Sequence, residues 1–245
     1  MDIVFAGPSL PQSARPARPG LAFRPPAMQG DLHAAAKERP RAIALIDGYF
    51  ESVAAVWHKE ILWALSRGVL VWGASSMGAL RAAELSQFGM VGVGRVFEYM
   101  CESLRDDADV ALVHGPAELD YVNLSEAQVN VHFTLAKAVD EGVVDAEAAA
   151  LVLQVSRDLF FKERRYELIL RRARAAGLSA AAARALRAWL PANRVDQKRT
   201  DALLLLERLD QAEPGGTRAV AFEFQHTAMW EQAREYRWRR PGSAE

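Results

Sequence analysis

The chain has 245 residues, 51% hydrophobic and 25% charged, with a formal net charge of −1; that is enough apolar sequence to bury one large core, or one α/β core with a helical extension packed on it. No run approaches the about 18 apolar residues of a membrane span, and the N-terminus MDIVFAGPSL lacks the basic start and long apolar stretch of a secretion signal. The single cysteine, Cys101, excludes a disulfide framework and a cysteine zinc site, and the five histidines form no HxxxH or HxH pair, so a cytoplasmic protein without a bound transition metal is expected.

Taken in chain order, DIVFAG at the start, closed by Gly7-Pro8-Ser9, reads as a buried strand and turn. Six of the eleven prolines lie in the first 26 residues, so Pro8 to Pro26 is predicted as a loop. Asp31 is expected to cap a helix beginning at Leu32. Arg41 to Asp47 is a second apolar run, ended by Asp47-Gly48. Val53, Trp57, Ile61 and Leu65 then recur at the spacing of a helix that Gly68 stops. Val69 to Gly73 is a third run, and Met77 to Leu85 continues as a helix rich in alanine and leucine. A further strand is predicted at Asp109 to His114, and a buried thiol at Cys101. From about Ser125 onward Ala, Leu, Arg and Glu dominate. Three or more helices are expected there, divided near Glu141-Gly142, Gly177-Leu178-Ser179 and Pro191, before a Pro214-Gly215-Gly216 break and a frayed PGSAE end. Alternating strands and helices predict an α/β fold: a parallel-sheet, Rossmann-like core over residues 1–120 and a mainly helical region over 121–245.

Charge is unevenly spread. Glu102 to Glu147 holds 11 acidic and 2 basic residues, and Arg157 to Arg208 holds 13 basic and 6 acidic. With no nucleic-acid-binding motif, solvated helix faces or a mutual or partner contact explain this, not RNA or DNA.

Ligands bind parallel sheets at the carboxyl ends of the strands, where Gly7, Ser9, Asp47, Gly73, Ser75 and Ser76 all fall. Ser76, in Ala74-Ser75-Ser76-Met77-Gly78, has the strand-to-helix context of a nucleophile elbow, although Ala74 stands where a glycine is usual. Two other readings stay open: the serines only cap a helix, or the amides of Gly73, Ser75, Ser76 and Met77 cradle an anion or form an oxyanion hole. His58 is the candidate base, with a packed, non-catalytic histidine as the alternative, and Glu60 orients or replaces it. Asp47 is a candidate acid, base or cap. Arg81 pairs with Glu84 three residues on, or contacts an anion near Ser76. Asp106, Asp107 and Asp109 read as solvated residues before a magnesium site.

DGYF at 47–50, VWHKEILWAL at 56–65, GASSMGALRAAEL at 73–85, FGMVGVGRVFEYM at 88–100 and the DD-x-DVALVHG run at 106–115 together resemble the TfuA-like proteins, as do GPSLP at 7–11 and FRPPAMQGDL at 23–32. DQKRTDALLLL at 196–206 resembles the family more loosely. The resemblance implies a partner of a YcaO enzyme in ATP-dependent backbone thioamidation. The YcaO protein would hold ATP and magnesium, and this chain would bind no cofactor. The implied role is supply of sulfur, by recruiting a source or by releasing sulfide from a ThiS-like carrier ending in a Gly-Gly thiocarboxylate, with the precursor peptide met through YcaO. In that scheme Ser76, or a water activated by His58, attacks the acyl carbon. The alternatives are a non-catalytic docking or allosteric module that binds YcaO, and an unrelated serine esterase.

Overall fold

The protein is described by a computed structural model covering residues 1–49, 51, 53–102, 106–211 and 222–235. In chain order come β1 (Asp2–Phe5), β2 (Leu21–Arg24), α1 (Asp31–Lys37), β3 (Ala42–Leu45), α2 (His58–Ser66), β4 (Leu70–Ala74), α3 (Met77–Leu85), β5 (Val91–Val93) and α4 (Arg95–Cys101). Then follow α5 (Gln128–Asp140), α6 (Ala146–Asp158), α7 (Tyr166–Ala175), α8 (Ala180–Asn193), α9 (Gln197–Gln211) and α10 (Ala228–Glu235). The strands form one parallel sheet in the order β2-β1-β3-β4-β5, which is the Rossmann-like α/β architecture expected. Among the described residues no helix is long and apolar enough to cross a membrane.

Successive side chains of a strand point to opposite faces, and the strand sequences sort accordingly. Ile3, Phe5, Ile43, Leu45 and Val71 pack under α1, α2 and α3 through Leu32, Ile61, Ala64 and Leu85. Val4, Ala44, Ile46, Trp72 and Ala74 form the other face.

Handedness decides what covers each face. The steps β2 to β3, β3 to β4 and β4 to β5 all move the same way across the sheet, so right-handed crossovers place their helices on one side. Only β1 to β2 moves the other way, through the proline-rich segment, and Leu10 of that segment lies on the second face. The rest of this face is closed by α9, whose Ala202, Leu205, Leu206 and Leu209 pack over the small Ala6, Ala42, Ala44 and Ala74. Arg18 and Arg41 fasten α9 by donating to the carbonyls of Leu206 (2.8 Å) and Leu209 (2.9 Å). Between sheet and return helix, α5 to α8 build their own core around Leu135, Val152, Ile169 and Leu186.

Several expectations are corrected. The proline-rich loop contains β2, a half-buried edge strand that no proline interrupts, and β5 is a strand too short and glycine-rich to show periodicity. Asp109 to His114 is not a strand. A 3-10 turn at Asp107–Asp109 leads into irregular chain in which Val110 packs with α4 and α5. Val53 to Trp57 is not helical, because Glu60 closes a capping box on the Trp57 amide and starts α2 at His58. Gly30, not Asp31, caps α1, while the Asp31 carboxylate accepts from the Met28 amide. Pro191 sits inside α8, and Cys101 is exposed at the end of α4, where partial burial and Glu98 raise its thiol pKa. The Pro214-Gly215-Gly216 break and PGSAE lie outside the described residues. Between them in sequence, Trp230 of α10 is fully buried among His33, Trp57 and Phe224, so the C-terminal segment is seated on α1 and α2.

Candidate functional site

In this strand order the chain leaves β1 and β3 in opposite directions, opening a crevice at their carboxyl ends. Asp47, one residue beyond Ile46 and 1% exposed, closes the bottom of it. Its Oδ2 accepts from the amides of Gly7 (2.8 Å) and Ser9 (3.0 Å), and its Oδ1 accepts from the Ser9 hydroxyl (2.6 Å). The Gly7 and Ser9 donors expected to meet an outside anion are thus turned onto the protein's own carboxylate. Asp47 fixes the β1 turn against the end of β3.

The next strand end carries the two serines. Helix α3 approaches the sheet so closely that a Cβ on Gly78 would lie 1.7 Å from the Leu45 carbonyl oxygen, and one on Gly73 would lie 2.1 Å from the Gly78 oxygen. Gly78 donates its amide to Ile46 (3.2 Å), and the Ser76 amide turns back to the Ala74 carbonyl (2.8 Å). To turn this sharply Ser75 adopts φ +68°, and its fully buried hydroxyl donates to the Lys198 carbonyl at 2.5 Å. Ser75 is therefore tied to α9, and Ser76 is the serine on the wall of the crevice.

That crevice is a cavity of about 420 Å³ lined by Asp47, Ser76, Met77, Asp107, His114 and Lys198, among others. His114 donates Nδ1–H to the Gly115 carbonyl (2.7 Å), so in the neutral ring Nε2 carries the free lone pair. Burial, and a hydrogen bond shared with Asp106, push the Asp107 carboxyl up to about 6. Lys162, also on the wall, is paired with Glu51 at 2.7 Å.

Sequence reasoning missed Lys198, which sits in the first turn of a leucine-rich helix where a lysine reads as solvated. Its residue exposure is 2%, and its Nζ donates to the Val110 carbonyl at 2.7 Å. Its amide donates to Asn130 Oδ1 (3.2 Å), so both main-chain polar groups and the amine are held. Burial lowers its pKa, while Asp47 and Asp196 act the other way from a distance. The signal available was DQKRTD, a polar run in which Asp196 and Asp201 also anchor: Asp196 accepts from Asn130 and the Arg199 amide, and Asp201 from the Val96 amide and Gln197.

Four predicted site residues are held elsewhere. His58 Nε2 meets Glu84 (2.8 Å) on the outer side of α3, and Arg81 pairs with the same carboxylate (2.7 Å) while donating to the Val56 carbonyl. Neither lines the cavity of Ser76. Glu60 is fully buried between α1 and α2, accepting from the amides of Trp57 and His33. Gly73 lies within β4, where its missing side chain admits α3.

No curated protein matches the chain. The model of the family described as TfuA-like protein matches residues 47–165, a span that holds Asp47, both serines, Asp107 and His114. Residues 47–165 thus form a TfuA-like domain, of a family associated with YcaO partners and thioamidation.

Proposed function

We propose that this protein supplies sulfur to a YcaO enzyme in the cytoplasm, by hydrolysing the C-terminal Gly-Gly thiocarboxylate of a ThiS-like carrier protein. ATP and magnesium belong to the YcaO partner, which also presents the precursor peptide. The observation that carries this reading is the shared cavity of Ser76, His114 and Lys198 at the carboxyl end of the sheet. An extended chain terminus fits such a crevice. A hydroxyl and an imidazole lining one cavity are the groups that acyl transfer uses as nucleophile and base.

The Ser76 hydroxyl attacks the acyl carbon and gives its proton to His114 Nε2. The C–S bond breaks, and water then cleaves the acyl-serine. Net, thiocarboxylate and water give carboxylate, bisulfide and a proton. His114 takes the role first assigned to His58, because His58 is engaged with Glu84 outside the cavity.

The test is incubation of the purified protein alone with thiocarboxylated carrier, measuring bisulfide. Release that falls at least about 100-fold in Ser76→Ala is the expected result. Absence of release, with full support of YcaO thioamidation from free sulfide, refutes hydrolysis and leaves a docking or allosteric module.

A further inference from the structure

We propose that Lys198 binds the ionised terminus of the thiocarboxylate and delivers the proton with which sulfur departs; this rests on the function proposed above. Three observations lead there. Lys198 is buried yet forms part of the cavity wall, and its amine donates to the Val110 carbonyl. It makes no ion pair among the described residues, unlike Lys162 with Glu51. Its main chain clamps Ser75, the residue before Ser76, so the amine and the attacking hydroxyl are fixed to one turn.

A buried ammonium is costly unless paired, and a lysine in such a place sheds its proton instead. The carboxylates that act on it do not supply the pair. Asp47 is engaged with Gly7 and Ser9, and Asp196 with Asn130 and the Arg199 amide. The other charged or titratable groups on the wall are Tyr49, Asp107, His114, Glu51 and Lys162, the last two paired with each other. An entering anion completes the pair, so the anion and a proton from solvent bind together.

The chemistry needs that proton. A thiocarboxylate already carries its negative charge, so breaking its C–S bond without a donor would expel sulfide as a dianion. Transfer of one proton from the Lys198 ammonium to sulfur gives HS⁻ and returns the neutral amine, while the Ser76 proton resides on His114. Amides and esters inside a chain bear no such charge, which makes the cavity selective for a chain end.

The probe is a carrier-tail peptide ending in a free Gly-Gly carboxylate, with its C-terminal amide as control, titrated calorimetrically into the whole protein in two buffers of different ionisation heat near pH 8. The expected result is an uptake of about one proton per carboxylate bound and at least about 10-fold weaker binding of the amide. Lys198→Met, of similar length, should lose both the uptake and the discrimination. No uptake in wild type, or unchanged uptake in Lys198→Met, overturns the proposal, and the wild-type measurement stands even if the variant misfolds. Proton-coupled binding without bisulfide release from thiocarboxylated carrier would refute hydrolysis and keep the anion site. Release undiminished in a folded Lys198→Met would do the reverse.

Discussion

Substituting Glu60 by Gln should make the protein more stable above neutral pH and leave it nearly unchanged in acid. Glu60 is fully buried, and it accepts from the Trp57 amide at 3.1 Å and the His33 amide at 3.3 Å. Those bonds favour the ionised form, but burial outweighs them and pushes the carboxyl from 4.5 up to about 7. Between these values the folded protein holds a proton that the unfolded chain has released, so stability falls as pH rises through this window and the full cost is present above it. The difference of about 2.5 in pKa, at about 1.4 kcal/mol each, amounts to about 3 kcal/mol. Gln keeps an acceptor for the Trp57 amide and carries no charge. Urea unfolding of both proteins at about pH 5 and about pH 8 should show their stability difference shifting toward Gln by about 2 to 3 kcal/mol. A difference independent of pH would mean that the two amide bonds cancel burial, and the reasoning fails.

Gly78→Ala should abolish soluble folded protein or cost more than about 3 kcal/mol, because its Cβ would overlap the Leu45 carbonyl oxygen at 1.7 Å and neither backbone can yield; thermal unfolding reads this. Ser75→Ala should cost about 1 to 2 kcal/mol by leaving the buried Lys198 carbonyl without its donor, while bisulfide release per folded molecule changes far less than in Ser76→Ala. His114→Ala should lower release by about 100-fold, and His58→Ala by less than about twofold, since only the former lines the cavity; the opposite ranking in the bisulfide assay would return the role of base to His58.

What was legible in the sequence was local. The strands β1, β3 and β4 are short apolar runs ended by Gly or Asp-Gly, and α3 begins and ends where its alanine and leucine pattern does. The gathering of Ser9, Asp47 and Ser76 at one end of the sheet followed from parallel topology. Features set by distant chain were not legible. Whether Ser75 or Ser76 faces the crevice depends on α9, whose Lys198 carbonyl takes the Ser75 hydroxyl. His58 has a catalytic residue's chemistry and spacing, but Glu84 on the following crossover helix holds it outside. β2 was hidden because an edge strand needs only four residues between prolines, and its partner, not its own pattern, makes it a strand.

The return of α9 to the second face also has a consequence for biosynthesis. Every strand of the sheet is made before residue 94, yet Trp72 and the row of alanines on that face find their cover only in residues 202–209. A nascent chain therefore carries an uncovered apolar sheet surface through the synthesis of more than a hundred residues, including the five helices α4 to α8. Pairing so distant in sequence slows folding and prolongs exposure to aggregation. Expression in the cell is accordingly expected to depend on chaperone capacity and on an intact C-terminal third, and a fragment ending before α9 should be insoluble even though it contains the entire sheet.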